Sequence, residues 1–145
     1  MNRLLLVVAS IGTDAGRVIS ELVRADMRFV CVPLLVARQL KDDEGNKTSL
    51  SDSAMDAIQG DDGFLTASYP DGTRCALSRA DLEKVGGGQG FPVAEWPMGR
   101  ALEIEAKLLD GVLVIALGSN DGRDPLATAL KVRNRYLRSM GLASC

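Results

Sequence analysis

The sequence predicts an α/β domain built on a parallel sheet. Residues 3–9, RLLLVVA, form an apolar run without alternation, the pattern of a strand covered on both faces. Residues 111–118, GVLVIALG, form a second such run, bounded by glycines. Strand-like segments and helically spaced apolar residues alternate along the chain, as βα units require.

After the loop SIGTDAG, Val18, Ile19, Leu22 and Val23 recur at helical spacing. A second strand is expected at Arg28–Pro33, RFVCVP. From Leu34 to about Ser78 the chain is polar and punctuated by glycine, with a short helix predicted at Asp52–Gln59. Another short helix begins near Leu82, with Ser78 as N-cap, and breaks at Gly86-Gly87-Gly88. Phe91–Trp96 reads as a third strand and Met98 to about Leu108 as a short helix. GVLVIALG, wholly apolar, is expected at the centre of the sheet. Asp124 caps a last helix with Pro125 at its first position. Leu126, Leu130 and Leu137 are its expected apolar stripe, while Lys131, Arg133, Arg135 and Arg138 point outward.

The chain has 145 residues, 46% hydrophobic and 25% charged, enough to bury a core without disulfides or metal. There is no internal repeat and no dividing linker. One domain is expected over 1–145, with a core at about 1–33 and 79–145 and an inserted lobe at about 34–78. With 17 basic and 19 acidic residues the net charge is −2, which offers no global attraction to nucleic acid or anionic membrane. Histidine is absent. That excludes Ser-His-Asp and Cys-His nucleophiles, histidine bases and most zinc sites.

Cys31, Cys75 and Cys145 form no CxxC pair and are odd in number. They read as buried or incidental thiols of a reducing, cytoplasmic or other intracellular compartment. No apolar run is long enough to span a bilayer. MNRLLLVVAS has the outline of a secretory signal, but its apolar run is short and leads straight into a glycine turn and a helix, so it reads as a strand. Asp42, Asp43, Glu44, Asp61 and Asp62 lack the alternating spacing of a calcium loop and read as solvated turns. The basic residues Lys131, Arg133, Arg135 and Arg138 complement a helix C-terminal end. No aromatic stacking platform accompanies them, so they offer nucleic acid only a weak handle.

In order, these segments resemble the guanylate kinase family of P-loop phosphotransferases. The opening strand and glycine loop occupy the phosphate-binding position. Arg38-x-x-Lys41-x-x-Glu44 resembles the RxxRxxE element of the nucleoside-monophosphate lobe, and Gly63-Phe64-Leu65 the GxFLE turn. Gly72 and Ser78 fall on a family glycine and on the serine of YGTS. The segment from Gly88 resembles GKxVLLxIDxQG, with Gly99 on its second glycine, and Leu130–Arg135 resembles RLRxR before the lid. The likeness implies a three-layer parallel sheet of P-loop kinase type with an inserted, small monophosphate-binding-like lobe.

The departures fall on the residues that do the chemistry. An active phosphate loop offers successive backbone N–H groups and a lysine to phosphate, and a hydroxyl to Mg²⁺. Here the loop reads Gly12-Thr13-Asp14-Ala15-Gly16-Arg17-Val18. Setting Gly16-Arg17 on the family's Gly-Lys puts Asp14 on the inner glycine and Val18 on the hydroxyl. A carboxylate about 4 Å from a phosphate oxygen costs roughly 4 kcal/mol at an effective dielectric near 20, on the order of a thousandfold in affinity. Aligning on Gly12 instead moves Val18 to the lysine and Ile19 to the hydroxyl. In the acceptor lobe YGTS has become Cys75-Ala76-Leu77-Ser78, the glutamate of GxFLE is Thr66, and the acid of IDxQG is Trp96. Arg38, Lys41, Glu44 and Ser78 remain as a vestigial monophosphate site. The chain also stops ten residues after Arg135, too soon for a lid and a returning helix.

The resemblance with these departures implies a catalytically inactive guanylate-kinase-like domain, without cofactor or metal, serving as a protein-interaction or structural module or a subunit of a larger assembly. Scaffold proteins with guanylate-kinase-like domains are the precedent, and Phe29-x-Cys31-Val32-Pro33 is similar to their second strand. The alternative is a divergent small-molecule kinase that uses ATP and Mg²⁺ to phosphorylate GMP or a sugar phosphate, with Arg17, Arg133 and Arg135 as its catalytic cations. A protein partner is expected and a membrane is not.

Overall fold

The computed structural model describes residues 2–9, 13–42, 44–100, 104, 111–118 and 120–142. Its main sheet has four parallel strands: β1 (Leu4–Ala9), β2 (Phe29–Cys31), β7 (Phe91–Glu95) and β8 (Val112–Leu117), in the order β2-β7-β1-β8. Between β2 and β7 the chain builds a second sheet from β3 (Leu34–Val36), β4 (Lys47–Ser49), β5 (Phe64–Ser68) and β6 (Arg74–Ser78), ordered β4-β3-β6-β5. The helices are α1 (Ala15–Ala25), α2 (Asp52–Ile58), α3 (Arg79–Gly86) and α4 (Pro125–Ser139).

Strand β1 explains why its sequence is apolar throughout. Leu5 and Val7 point into a core shared with α1, α4, Phe29, Phe91 and Ile115. Leu4, Leu6 and Val8 point the other way, into a core shared with Leu34, Val36, Leu65, Leu77, Leu82, Trp96 and Ile104. Period-two side chains between two covered faces leave no place for a polar residue. The result is three layers, with α1 and α4 on one side and α3 with the second sheet on the other.

The helix starts follow from capping. Asp14, Ser51, Ser78 and Asp124 each cap the helix that follows, accepting the N–H of Arg17, Ala54, Asp81 and Ala127 respectively. Tyr136 on α4 packs edge-on against Phe29 and tilted against Phe91, ring centroids 5.3 and 5.2 Å away. Its hydroxyl donates to the carbonyl of Arg3, which ties α4 to the N-terminal end of β1.

Four expectations are corrected. β8 pairs only with β1 among the described residues and so lies at the sheet edge, not its centre. An apolar run records cover on both faces and says nothing of how many strands flank it. The buried stripe of α4 is Thr128, Ala129, Val132, Tyr136 and Leu137; Leu126 is exposed and Leu130 half-buried on its flank. The segment 34–78, read as polar with one helix, also carries four strands. Glu44, read as part of a solvated turn, is mostly buried in an ion-pair network. The helix expected from Met98 to about Leu108 falls mostly outside the described residues, and Pro97–Arg100 form a turn. No helix among the described residues is long and apolar enough to cross a membrane.

Candidate functional site

Parallel strands present their carboxyl ends on one side of a sheet, and ligands of open α/β sheets gather there. β1 ends at Ala9 and β7 at Glu95, and α1 begins just beyond at Ala15. Across from them stand Lys47, Tyr69 and Pro70 from the second sheet and its turns. The cleft between has a volume of about 670 Å³ and is completed by Thr13, Asp14, Trp96 and Met98.

On the core side, the first turn of α1 is already occupied. Oδ1 of Asp14 accepts the N–H of Arg17 at 3.2 Å, so the positive end of the helix holds a carboxylate of its own chain. Gly16 is buried against the second sheet: a Cβ there would lie 2.7 Å from Oδ1 of Asn46. Val18 and Ile19 are fully buried in the core below. In either alignment the position of the Mg²⁺ hydroxyl is therefore a core aliphatic residue. Arg17 is exposed, and the Thr13 hydroxyl donates to the carbonyl of Gly118 at 3.2 Å. Gly12 lies outside the described residues.

Glu95 dominates the floor of the cleft. It is 8% exposed and receives three donors from the facing segment: Asn46 Nδ2 at 3.1 Å, the Lys47 ammonium at 3.3 Å and the Tyr69 hydroxyl at 2.5 Å. Lys47 also reaches Glu44 at 2.8 Å, and Glu44 takes both arms of the Arg38 guanidinium at 2.7 and 2.6 Å. Those Arg38 hydrogen bonds, with help from Lys47, hold Glu44 far below the usual carboxylate range. Burial alone would lower Lys47, but Glu44 and Glu95 outweigh it and raise its pKa. Burial, then the charge of Glu95, pushes the Tyr69 phenol up, so it stays a hydrogen-bond donor. Two cations meet two carboxylates, and Asp14 adds a third acid at the rim.

The structure gathers only part of the expected site. Arg38 and Glu44 are together but bonded to each other, and Lys41 contributes its backbone N–H to Glu44 while its side chain is exposed. Ser78 caps α3 at the far end of β6 from Arg74, whose carbonyl is bonded by Ala37 beside Arg38. It is not brought to Arg38, Lys41 and Glu44. Arg133 is half-buried and lies where it acts on Asp26, beyond the end of α1 opposite Asp14; Lys131, Arg135 and Arg138 are exposed on the same helix. None of the four lines the cleft. Burial raises the thiols of Cys31 and Cys75 to about 11 and about 12, and no metal-holding cluster occurs among the described residues.

Glu95, Lys47, Asn46 and Tyr69 were not legible as site residues. For Glu95 a signal existed: an ionisable residue closing the apolar strand FPVAE, one position before the Trp96 that stands at the family's acid. Lys47, Asn46 and Tyr69 carry no local signal, because they meet Glu95 only when the second sheet folds back over β7.

The two-sheet architecture with its interlobe cleft is a guanylate-kinase-like fold. It is similar to the crystal structure of guanylate kinase from Anaplasma phagocytophilum, with a TM-score of 0.75 over 99% of this chain and 88% of that one, at 12% identity. No protein-family model matches the chain, and no curated protein sequence does.

Proposed function

We propose that this guanylate-kinase-like domain is catalytically inactive, holds no nucleotide and acts as a protein-interaction or structural module. The observation that carries the reading is Asp14, whose carboxylate takes the N–H of Arg17 at the helix end where a phosphate would need donors. That carboxylate repels a nucleotide's phosphates. Lys47, the cation that lines the cleft, is already neutralised by Glu44 and Glu95, and Arg38 by Glu44. Buried Val18 and Ile19 supply no oxygen to Mg²⁺, so the residues present do not fit Mg²⁺-ATP. Phosphoryl transfer depends on positioning and charge neutralisation more than on covalent chemistry, and both are lacking. Exposed apolar side chains, among them Met98 at the cleft and Met27, suit contact with protein.

Calorimetry tests this with millimolar ATP and Mg²⁺, and separately with GMP. No saturable heat is expected, and no ADP should form with GMP, AMP or ribose phosphates. Micromolar binding of ATP, or turnover lost on Arg17→Ala, would overturn the reading in favour of the divergent kinase.

A further inference from the structure

The charge of this chain is unevenly placed. After Asp124 the sequence carries four basic residues and no acidic one, which leaves 13 basic and 19 acidic residues before it. A segment of net +4 therefore follows a remainder of net −6. All four bases lie on α4. Arg133 is half-buried and acts on Asp26. Lys131, Arg135 and Arg138 are exposed, and none pairs with an acid among the described residues. At 3.6 residues per turn and 1.5 Å per residue, these three fall within about 60° on one face and span about 10 Å.

The helix itself gives little reason for this stripe. Attraction of a cation to a helix C-terminal end fades beyond the last turn, and the last turn holds Arg138 alone. Lys131 and Arg135 are four residues apart, and Arg135 and Arg138 three apart. Like charges at those spacings repel and weaken the helix that carries them. About a quarter of the way round from the stripe runs an apolar row on the same helix. Leu126 is 47% exposed there, and Leu130, one turn further on, is half-buried.

We propose that this face of α4 docks an acidic segment of a partner protein that carries apolar side chains beside its carboxylates. The carboxylates neutralise Lys131, Arg135 and Arg138, which otherwise repel one another. The apolar side chains cover Leu126 and Leu130. Arginine beside apolar side chains is a composition that suits a protein interface. The leucines select protein over nucleic acid, because a phosphate backbone would meet the charges and leave the apolar row bare. The aromatic ring of α4, Tyr136, is buried, so no base can stack on it. The acidic remainder of the chain also repels a polyanion long enough to reach past α4. The class of partner rests on the domain being a protein-interaction module. None of the α4 bases lines the cleft, so nucleotide there and a segment on α4 are separate binding events.

Fluorescence anisotropy on the full chain tests it, with a labelled helical peptide of Glu and Leu at one-turn spacing as probe. Oligoglutamate of equal charge, a short oligouridylate and phosphatidylserine vesicles are compared with it. The Glu-Leu peptide should bind saturably, and about fivefold or more tighter than oligoglutamate, since it alone covers the leucines. Lys131→Glu, Arg135→Glu and Arg138→Glu together should weaken it by about tenfold or more, with the far-UV dichroism unchanged. If that variant fails to fold, the same three residues changed to Gln should still weaken binding by about fivefold. Leu126→Ser should narrow the gap between the two peptides and leave oligoglutamate unaffected. No peptide binding, binding indifferent to the charge changes, or oligoglutamate equal to the peptide would each overturn the proposal. So would tighter binding of oligouridylate or vesicles, or self-association lost on charge reversal, which assigns the face to a second copy. Failure here with ATP still unbound in calorimetry would remove this surface and leave the inactive cleft as described.

Discussion

Oδ1 of Asn46 stands where a side chain on Gly16 would have to begin, 2.7 Å from a Cβ built there. Asn46 cannot yield freely, because it is buried and its amide is tied to Glu95. Gly16→Ala should therefore destabilise the protein although it sits in a helix. A forced shift of about 1–3 kcal/mol, less roughly 1 kcal/mol from better helix propensity, leaves a net loss of up to about 2 kcal/mol. Urea unfolding should show it, and Gly16→Ala combined with Asn46→Ser should recover part of the loss.

Glu95→Ala should loosen the second sheet more than the first. It strips Lys47 of one carboxylate and leaves Tyr69 and Asn46 without their acceptor. The cost should be about 2–3 kcal/mol, below that of a fully orphaned charge because Lys47 keeps Glu44. Hydrogen exchange should quicken across β3–β6 while Leu5–Val7 of β1 stay slow. Equal acceleration in both sheets would mean that Glu95 does not act as the join between them.

Asp14 makes a contribution to stability that is separable from its charge. Asp14→Ala removes the cap of α1 and should cost about 1 kcal/mol, whereas Asp14→Ser should keep most of it. Neither variant should gain ATP binding, because Val18 and Ile19 remain buried below the loop. For the same reason Val18→Ser would open a hole in the core rather than present a hydroxyl. Thermal unfolding and calorimetry on the same samples separate the two effects.

Acid should weaken the fold through Glu44. The Arg38 hydrogen bonds hold its folded pKa well below the ordinary 4.5. The charged form is thus favoured in the folded state, and its stabilisation is complete above that ordinary value and lost as pH falls toward the folded one. Urea midpoints between neutral pH and about pH 3 should fall, and Glu44→Gln should flatten that part of the profile.

The thiols should be inert in the folded protein. Burial raises Cys31 to about 11 and Cys75 to about 12, with Glu95 adding to both. At pH 8 only about one thiol in a thousand, or fewer, is then ionised. In a Cys145→Ser background, iodoacetamide should label neither until the chain unfolds.

The legible parts of this fold are those whose determinants are local. α1 announces itself by the spacing of Val18, Ile19, Leu22 and Val23, α4 by Asp124-Pro125, and β1 by an apolar run that needs two covered faces. The strands of the second sheet are three to five residues long. Leu34-Leu35-Val36 and Cys75-Ala76-Leu77 are apolar runs of three residues, too short to register. The site divides the same way. Asp14 and Val18 could be judged in place because a phosphate loop is contiguous. Arg38 and Glu44 share one motif in the sequence, but only the fold shows that they neutralise each other. Ser78 matched a motif in spacing and was also legible as a helix cap, and the cap is the role the fold gives it.

The pairing of β1 has a consequence for biosynthesis. Leu5 is registered with Val93 and Leu4 with Val112, 88 and 108 residues further along. On the ribosome β1 emerges with neither neighbour yet made, and at five to twenty residues per second it waits for seconds. Through that interval Leu4-Leu5-Leu6-Val7-Val8 is an uncharged, aggregation-prone stretch flanked by a single arginine. A nascent chain of this protein therefore presents a chaperone-binding segment from the emergence of β1 until β8 clears the exit tunnel.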